Sequence, residues 1–139
     1  MTTRELLIED YLIRSKKRLL ALEFLRDIEA YADVVREAQE VVELLLKALI
    51  MMVGLDVPKI HDVSKYIEKE LILFPSIVQQ NIELIKKISR DLRKDRELSF
   101  YGALDWIPSK EYDLEDAQRA INWAKDILNI VEKAYEEVR

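Results

Sequence analysis

Between Val34 and Met52 the apolar residues fall three and four apart: Val34, Val35, Ala38, Val41, Val42, Leu45, Ala48, Leu49 and Met52. That spacing collects them on one side of a helix about five turns long and does not fit the alternation of a strand. Gly54 then supplies a stop, and Pro58 stiffens the stretch that follows. The remaining sequence has the same character. Two Gly and three Pro in 139 residues leave little turn chemistry for a many-stranded fold, while half the chain is apolar and 35% is charged. The expectation is one all-α domain over residues 1–139, an antiparallel up-and-down bundle of about five helices.

The other helices follow from caps and periodicity. Thr2 with Glu5 forms a capping-box pattern opening a helix over about 3–28, which carries the basic cluster Arg14, Lys16, Lys17 and Arg18 beside apolar Ile13, Leu20, Phe24 and Ile28. His61-Asp62 stands where a short third helix begins, running over about 62–71. Pro75 breaks the chain, and Ser76 with Gln79 reads as a further capping box. A fourth helix then carries Ile77, Ile82, Leu84, Ile85, Ile88 and Leu92 and reaches about Phe100. Gly102 to Tyr112, with Trp106 and Pro108, is the longest irregular stretch. Asp113 caps a last helix whose stripe of Ala117, Ala120, Ile121, Ala124, Ile127, Leu128, Val131 and Ala134 lets a neighbour approach closely.

Several functions are excluded or disfavoured by composition. With no Cys there is no disulfide or thiolate metal site, and with a single His a transition-metal centre has too few ligands. No metal and no cofactor are expected. No apolar run approaches the roughly 20 residues that span a bilayer, and the first residues lack a signal-peptide layout, so a cytoplasmic location is expected. A net charge of −5 argues against non-specific nucleic-acid binding over the whole surface. It leaves room for a local basic face: between residues 82 and 96, Lys86, Lys87, Arg90, Arg93, Lys94 and Arg96 outnumber Glu83, Asp91 and Asp95, and Lys86, Arg90 and Arg93 share a helical side. Such a face can meet RNA phosphates or an acidic partner; the commoner fate of a charge run is a solvated helix surface.

The order and spacing of several segments resemble the HEPN domain, a helical module of prokaryotic and some eukaryotic nucleotide-binding and RNA-processing proteins. The resemblance rests on Val35-Arg-Glu-Ala-Gln-Glu-Val-Val-Glu-Leu-Leu-Leu-Lys-Ala48, on Gly54 and Pro58-Lys-Ile-His-Asp62, on Asp95-Arg-Glu-Leu-Ser-Phe-Tyr-Gly102, and on Tyr112, Glu115-Asp-Ala117 and Ala120-Ile-Asn-Trp-Ala124. It implies a helical bundle, a homodimer, and pairing with a minimal nucleotidyltransferase, often in toxin–antitoxin-like systems. Many members of the family are metal-independent ribonucleases whose signature is an Arg and a later His with four to six residues between them. The guanidinium holds a phosphate while the imidazole moves a proton near neutral pH.

This chain departs from that signature. Its one histidine, His61, has Gly54 to Asp56 rather than Arg at the corresponding upstream interval. The counterpart of the family arginine is Arg96, and the positions after it that would hold the histidine are Tyr101, Gly102 and Ala103. A phenol is a poor general base at neutral pH. The expected function is therefore a non-catalytic member, binding nucleotide or RNA through Arg96, Tyr101, Arg90, Arg93 and Lys86, with Lys59 and His61 of the loop as further candidates. Two other readings stay open: a ribonuclease with an altered site, in which Tyr101 or His61 supplies the missing group, and a helical scaffold with no ligand.

Overall fold

The computed structural model describes residues 1–60 and 62–139, the side chains of 96–100 excepted. In chain order the helices are α1 (Thr3–Asp27), α2 (Tyr31–Met52), α3 (Val63–Lys69), α4 (Ser76–Gln80), α5 (Ile82–Phe100), α6 (Pro108–Glu111) and α7 (Leu114–Val138), with a 3₁₀ turn at Leu71–Leu73. Among the described residues no strand forms; the nearest thing to one is an isolated antiparallel bridge between Ala103 and Trp106. The fold is all-α, as the periodicity predicts.

α2 is the central element and packs against α1, α5 and α7. Its predicted face is buried apart from the half-buried Met52, and Leu46, Ile50 and Met51 on its other sides are buried too. A helix apolar on most of its circumference has to lie between its neighbours rather than on their outside. α7 contributes Ala117, Ala120, Ala124 and Ala134 among its buried residues, and these small side chains let it lie close against α2. α1 turns Ile8, Leu12, Ser15, Leu19 and Leu22 toward the core. Ile13, Leu20, Phe24 and Ile28, the apolar residues beside its basic cluster, are exposed.

Local chemistry fixes the helix ends. The Thr2 hydroxyl accepts from the Glu5 amide at 3.1 Å. Asp113 and Asp116 form a reciprocal capping box, each backbone amide donating to the other's carboxylate at 3.0 Å. At the end of α2 the Leu55 amide donates to the Ile50 carbonyl at 3.4 Å and the Gly54 amide to the Met51 carbonyl at 3.1 Å, with Gly54 at φ +82°. This is the left-handed helix stop that glycine adopts without strain. The α1–α2 turn uses the same hydrogen-bond pattern, the Ala30 amide to Leu25 and the Glu29 amide to Arg26, but places Glu29 at φ 63°.

The long fourth helix expected from Ser76 to Phe100 is divided. Asn81 separates α4 from α5, and its side-chain amide donates to the Ile77 carbonyl at 2.7 Å. A short polar side chain that satisfies a helix carbonyl gives the backbone an alternative to continuing. Ser76 makes no capping hydrogen bond; Pro75 occupies the cap position, and the Gln79 side chain instead donates to the Phe74 carbonyl at 2.9 Å. The irregular stretch contains α6, entered through Pro108, and Gly102 at φ +74°. A Cβ at Gly102 would lie 2.6 Å from both the Trp106 carbonyl oxygen and Pro108 Cδ, so only glycine fits there. Among the described residues no helix is long and apolar enough to cross a membrane.

Candidate nucleic-acid interface

Lys86, Lys87, Arg90 and Arg93 of α5 are held by carboxylates that come from its neighbours and from its own turns. Arg93 meets Asp62 with Nη1–Oδ1 at 3.2 Å and Nη2–Oδ2 at 3.3 Å. Lys86 Nζ meets Glu68 Oε2 at 2.6 Å and Glu83 Oε1 at 3.8 Å. Two ion pairs thus bind α3 to α5. Lys87 Nζ lies 2.9 Å from Asp91, and Arg90 Nε lies 3.4 Å from the same carboxylate. Of the three residues predicted to share a face, Arg90 is the outward one, with its side chain 64% exposed.

Asp62 organises this junction. It caps α3 by accepting from the Lys65 amide at 3.4 Å, and the Ser64 hydroxyl donates to it at 2.6 Å. Burial works against its ionisation, but hydrogen bonds from Ser64 and Arg93 together with the Arg93 charge outweigh that and hold the carboxyl below the usual Asp range. The hydrogen bond to Glu68 holds the Lys86 ammonium above the usual lysine range. The hydrogen bond from Lys87 is the main cause that lowers Asp91.

Behind Arg93, between α2 and α5, lies a cavity of about 10 Å³ lined by Gln39, Glu43, Ser89 and Arg93 among others. It has room for about one water and none for a nucleobase. Gln39 Oε1 is buried in the same place and has no hydrogen-bond partner among the described residues. A nucleotide therefore does not enter this cavity.

At its far end α5 leads into the turn that carries Tyr101, whose side chain is 75% exposed. Below that turn Trp106 stacks edge-on against Tyr112 with ring centroids 6.2 Å apart, and both pack into the core. Burial, then the charges of Asp95 and Asp116, push the Tyr112 phenol up to about 12. Burial likewise holds Asp95 above the usual carboxylate range. On the side of α5 facing α7, Lys87 and Arg119 lie over the Trp123 ring at 4.8 and 5.8 Å.

Of the residues singled out in the sequence, Lys86, Arg90 and Arg93 come together on α5, and Lys59 lies exposed in the loop that leads to Asp62. Arg96 belongs to α5 one turn beyond Arg93, but its side chain lies outside the described residues, as does His61 altogether. Among the described residues no group of three His, Cys, Asp or Glu is placed to hold a metal ion. The anchoring carboxylates Asp62 and Glu68 were not foreseen. Asp62 was readable as a helix cap, but its pairing with a residue 31 positions away leaves no local pattern.

No curated protein and no solved structure matches this chain. The family model described as the HEPN domain does match, over residues 8–134, and so takes in α2, the Asp62 junction, α5 and nearly all of α7. The chain belongs to the HEPN domain family.

Proposed function

We propose that this HEPN chain is a nucleotide- or RNA-contacting interaction module without nuclease activity, working as a homodimer beside a minimal nucleotidyltransferase in a toxin–antitoxin-like or RNA-related role. The observation that carries the reading is the C-terminal end of α5. The interval after Arg96 in which the nuclease signature requires a histidine holds Tyr101, Gly102 and Ala103, and Tyr101 is a solvent-facing phenol. Such a side chain can stack on a base but is ill suited to take a proton at neutral pH.

Contact with RNA phosphates centres on Arg96 and the outward Arg90, with Tyr101 as the stacking surface and Lys59 at the loop. Arg93 and Lys86 serve this surface indirectly, since their ion pairs with Asp62 and Glu68 hold α3 in place. Binding of a fluorescent single-stranded RNA tests the assignment. Arg96→Ala should weaken binding about fivefold to tenfold and reduce the salt slope by about 1. Wild-type affinity in Arg96→Ala, Arg90→Ala and Tyr101→Ala alike would remove this surface from consideration. Co-expression with a minimal nucleotidyltransferase tests the partner, which should co-elute.

One observation favours a second reading, a ribonuclease with an altered site. Asp62, the residue after His61, is ion-paired with Arg93, one helical turn before Arg96. In that reading His61 supplies the imidazole from the loop, and His61→Ala abolishes cleavage.

A further inference from the structure

Beneath the turn that carries Tyr101, the fold buries polar atoms without pairing them fully. The Tyr112 hydroxyl and Trp106 Nε1 are both buried, and neither completes a well-formed hydrogen bond among the described residues, although their rings meet edge-on. The carboxyl beside the Tyr112 hydroxyl is that of Asp95 on α5. A buried carboxylate is costly to keep ionised unless donors close on it, and here the adjacent phenol does not close. The charged neighbours of Asp95 are divided. Lys94 favours its ionisation, Asp116 and Asp91 oppose it, and burial outweighs the lysine. Lys94 is itself exposed, while Asp91 and Asp116 already hold Lys87, Arg90 and Arg119.

Asp95 is also the residue before Arg96, so their Cα atoms are about 3.8 Å apart. A phosphate held by Arg96 comes within on the order of 10 Å of this carboxyl, about one Debye length, and a partly buried charge is screened less than an exposed one. We propose that Asp95 regulates the RNA-contacting surface as a proton-linked brake: its carboxylate opposes a phosphate at Arg96, and RNA binding draws a proton onto it. This deepens the RNA contact proposed above and rests on it. The free carboxyl is already held above the ordinary Asp range, and a bound polyanion raises it further. Affinity is therefore greatest below the free-protein value and falls as pH rises through the higher RNA-bound value.

Filter retention of a labelled oligouridylate, whose bases do not titrate in acid, tests this with wild type and Asp95→Asn. Asp95→Asn should bind about threefold to fivefold more tightly at about pH 7.5 and equally at about pH 4, with helical circular dichroism unchanged. Taking the ratio of the two proteins removes the general gain in affinity as other carboxylates protonate. In wild type, the titration midpoint of the Asp95 carboxyl carbon resonance should rise when the oligouridylate is bound, a readout that needs no substitution. RNA retained by both proteins in a ratio that does not change with pH, or a midpoint that RNA leaves unmoved, would overturn the brake and leave the RNA contact standing. RNA held by neither protein at any pH would overturn both.

Discussion

Arg93 and Asp62 face each other with two nitrogen–oxygen contacts of 3.2 and 3.3 Å, joining the start of α3 to the second half of α5. Both side chains are largely covered, Asp62 at 20% and Arg93 at 31% exposure, so the pair is better shielded from solvent than most ion pairs of this chain. It ends the loop that carries Lys59 and begins the helix that carries Glu68, and it therefore sets where that whole segment lies against the basic helix.

Asp62→Asn should destabilise the protein by about 1–2 kcal/mol at neutral pH, because it removes a charge-assisted contact and weakens the cap of α3. The folded carboxyl is held below its unfolded range. Its contribution is therefore present above the unfolded Asp pKa and is lost as pH falls through the lower folded value. Urea unfolding of both proteins at neutral and acid pH checks this: the gap should close on acidification.

Asp95 should behave in the opposite sense. Its folded carboxyl is held above the ordinary range, mainly by burial. Ionising it costs stability, so its penalty is absent at low pH and grows as pH rises through the ordinary Asp range and the raised folded value. Asp95→Asn should thus raise stability at neutral pH, by under about 1 kcal/mol, and have little effect in acid. Melting temperatures at two pH values distinguish the cases.

Glu29 sits at φ 63° in a turn whose hydrogen bonds match those around Gly54. A left-handed conformation costs a side-chain-bearing residue about 1–2 kcal/mol. Glu29→Gly should raise the unfolding free energy by about 0.5–1 kcal/mol after the entropy that glycine adds to the unfolded chain, with unchanged helical content.

Gly102 presents the reverse case. A methyl group there meets a backbone carbonyl and the Pro108 ring at 2.6 Å, on a backbone already left-handed. Gly102→Ala should cost about 1–3 kcal/mol and displace the turn that follows Tyr101. Tryptophan fluorescence reports it, since Trp106 closes the same turn through backbone hydrogen bonds to Ala103.

Much of this architecture was legible in the sequence. The α2 stripe, the Gly54 stop, and the Thr2 and Asp113 caps depend on residues within a few positions of one another, where period and capping chemistry decide. What escaped depends on contacts distant in sequence. The interruption at Asn81 needed one side chain to win a carbonyl from the backbone, against apolar spacing that runs straight through it. The outward direction of Ile13, Leu20, Phe24 and Ile28 could not be read because α1 carries two apolar seams, and only the packing of α2 and α7 selects the inner one. The pairing of Asp62 and Glu68 with Arg93 and Lys86 likewise exists only once α3 has folded onto α5.

The most direct test of the central claim is a cleavage and retention assay on one labelled single-stranded RNA, with wild type and Arg96→Ala side by side. Intact RNA with wild type, retained by it and released by Arg96→Ala, is the predicted result. RNA cut by wild type and left whole by Arg96→Ala would contradict it and make this HEPN chain a nuclease.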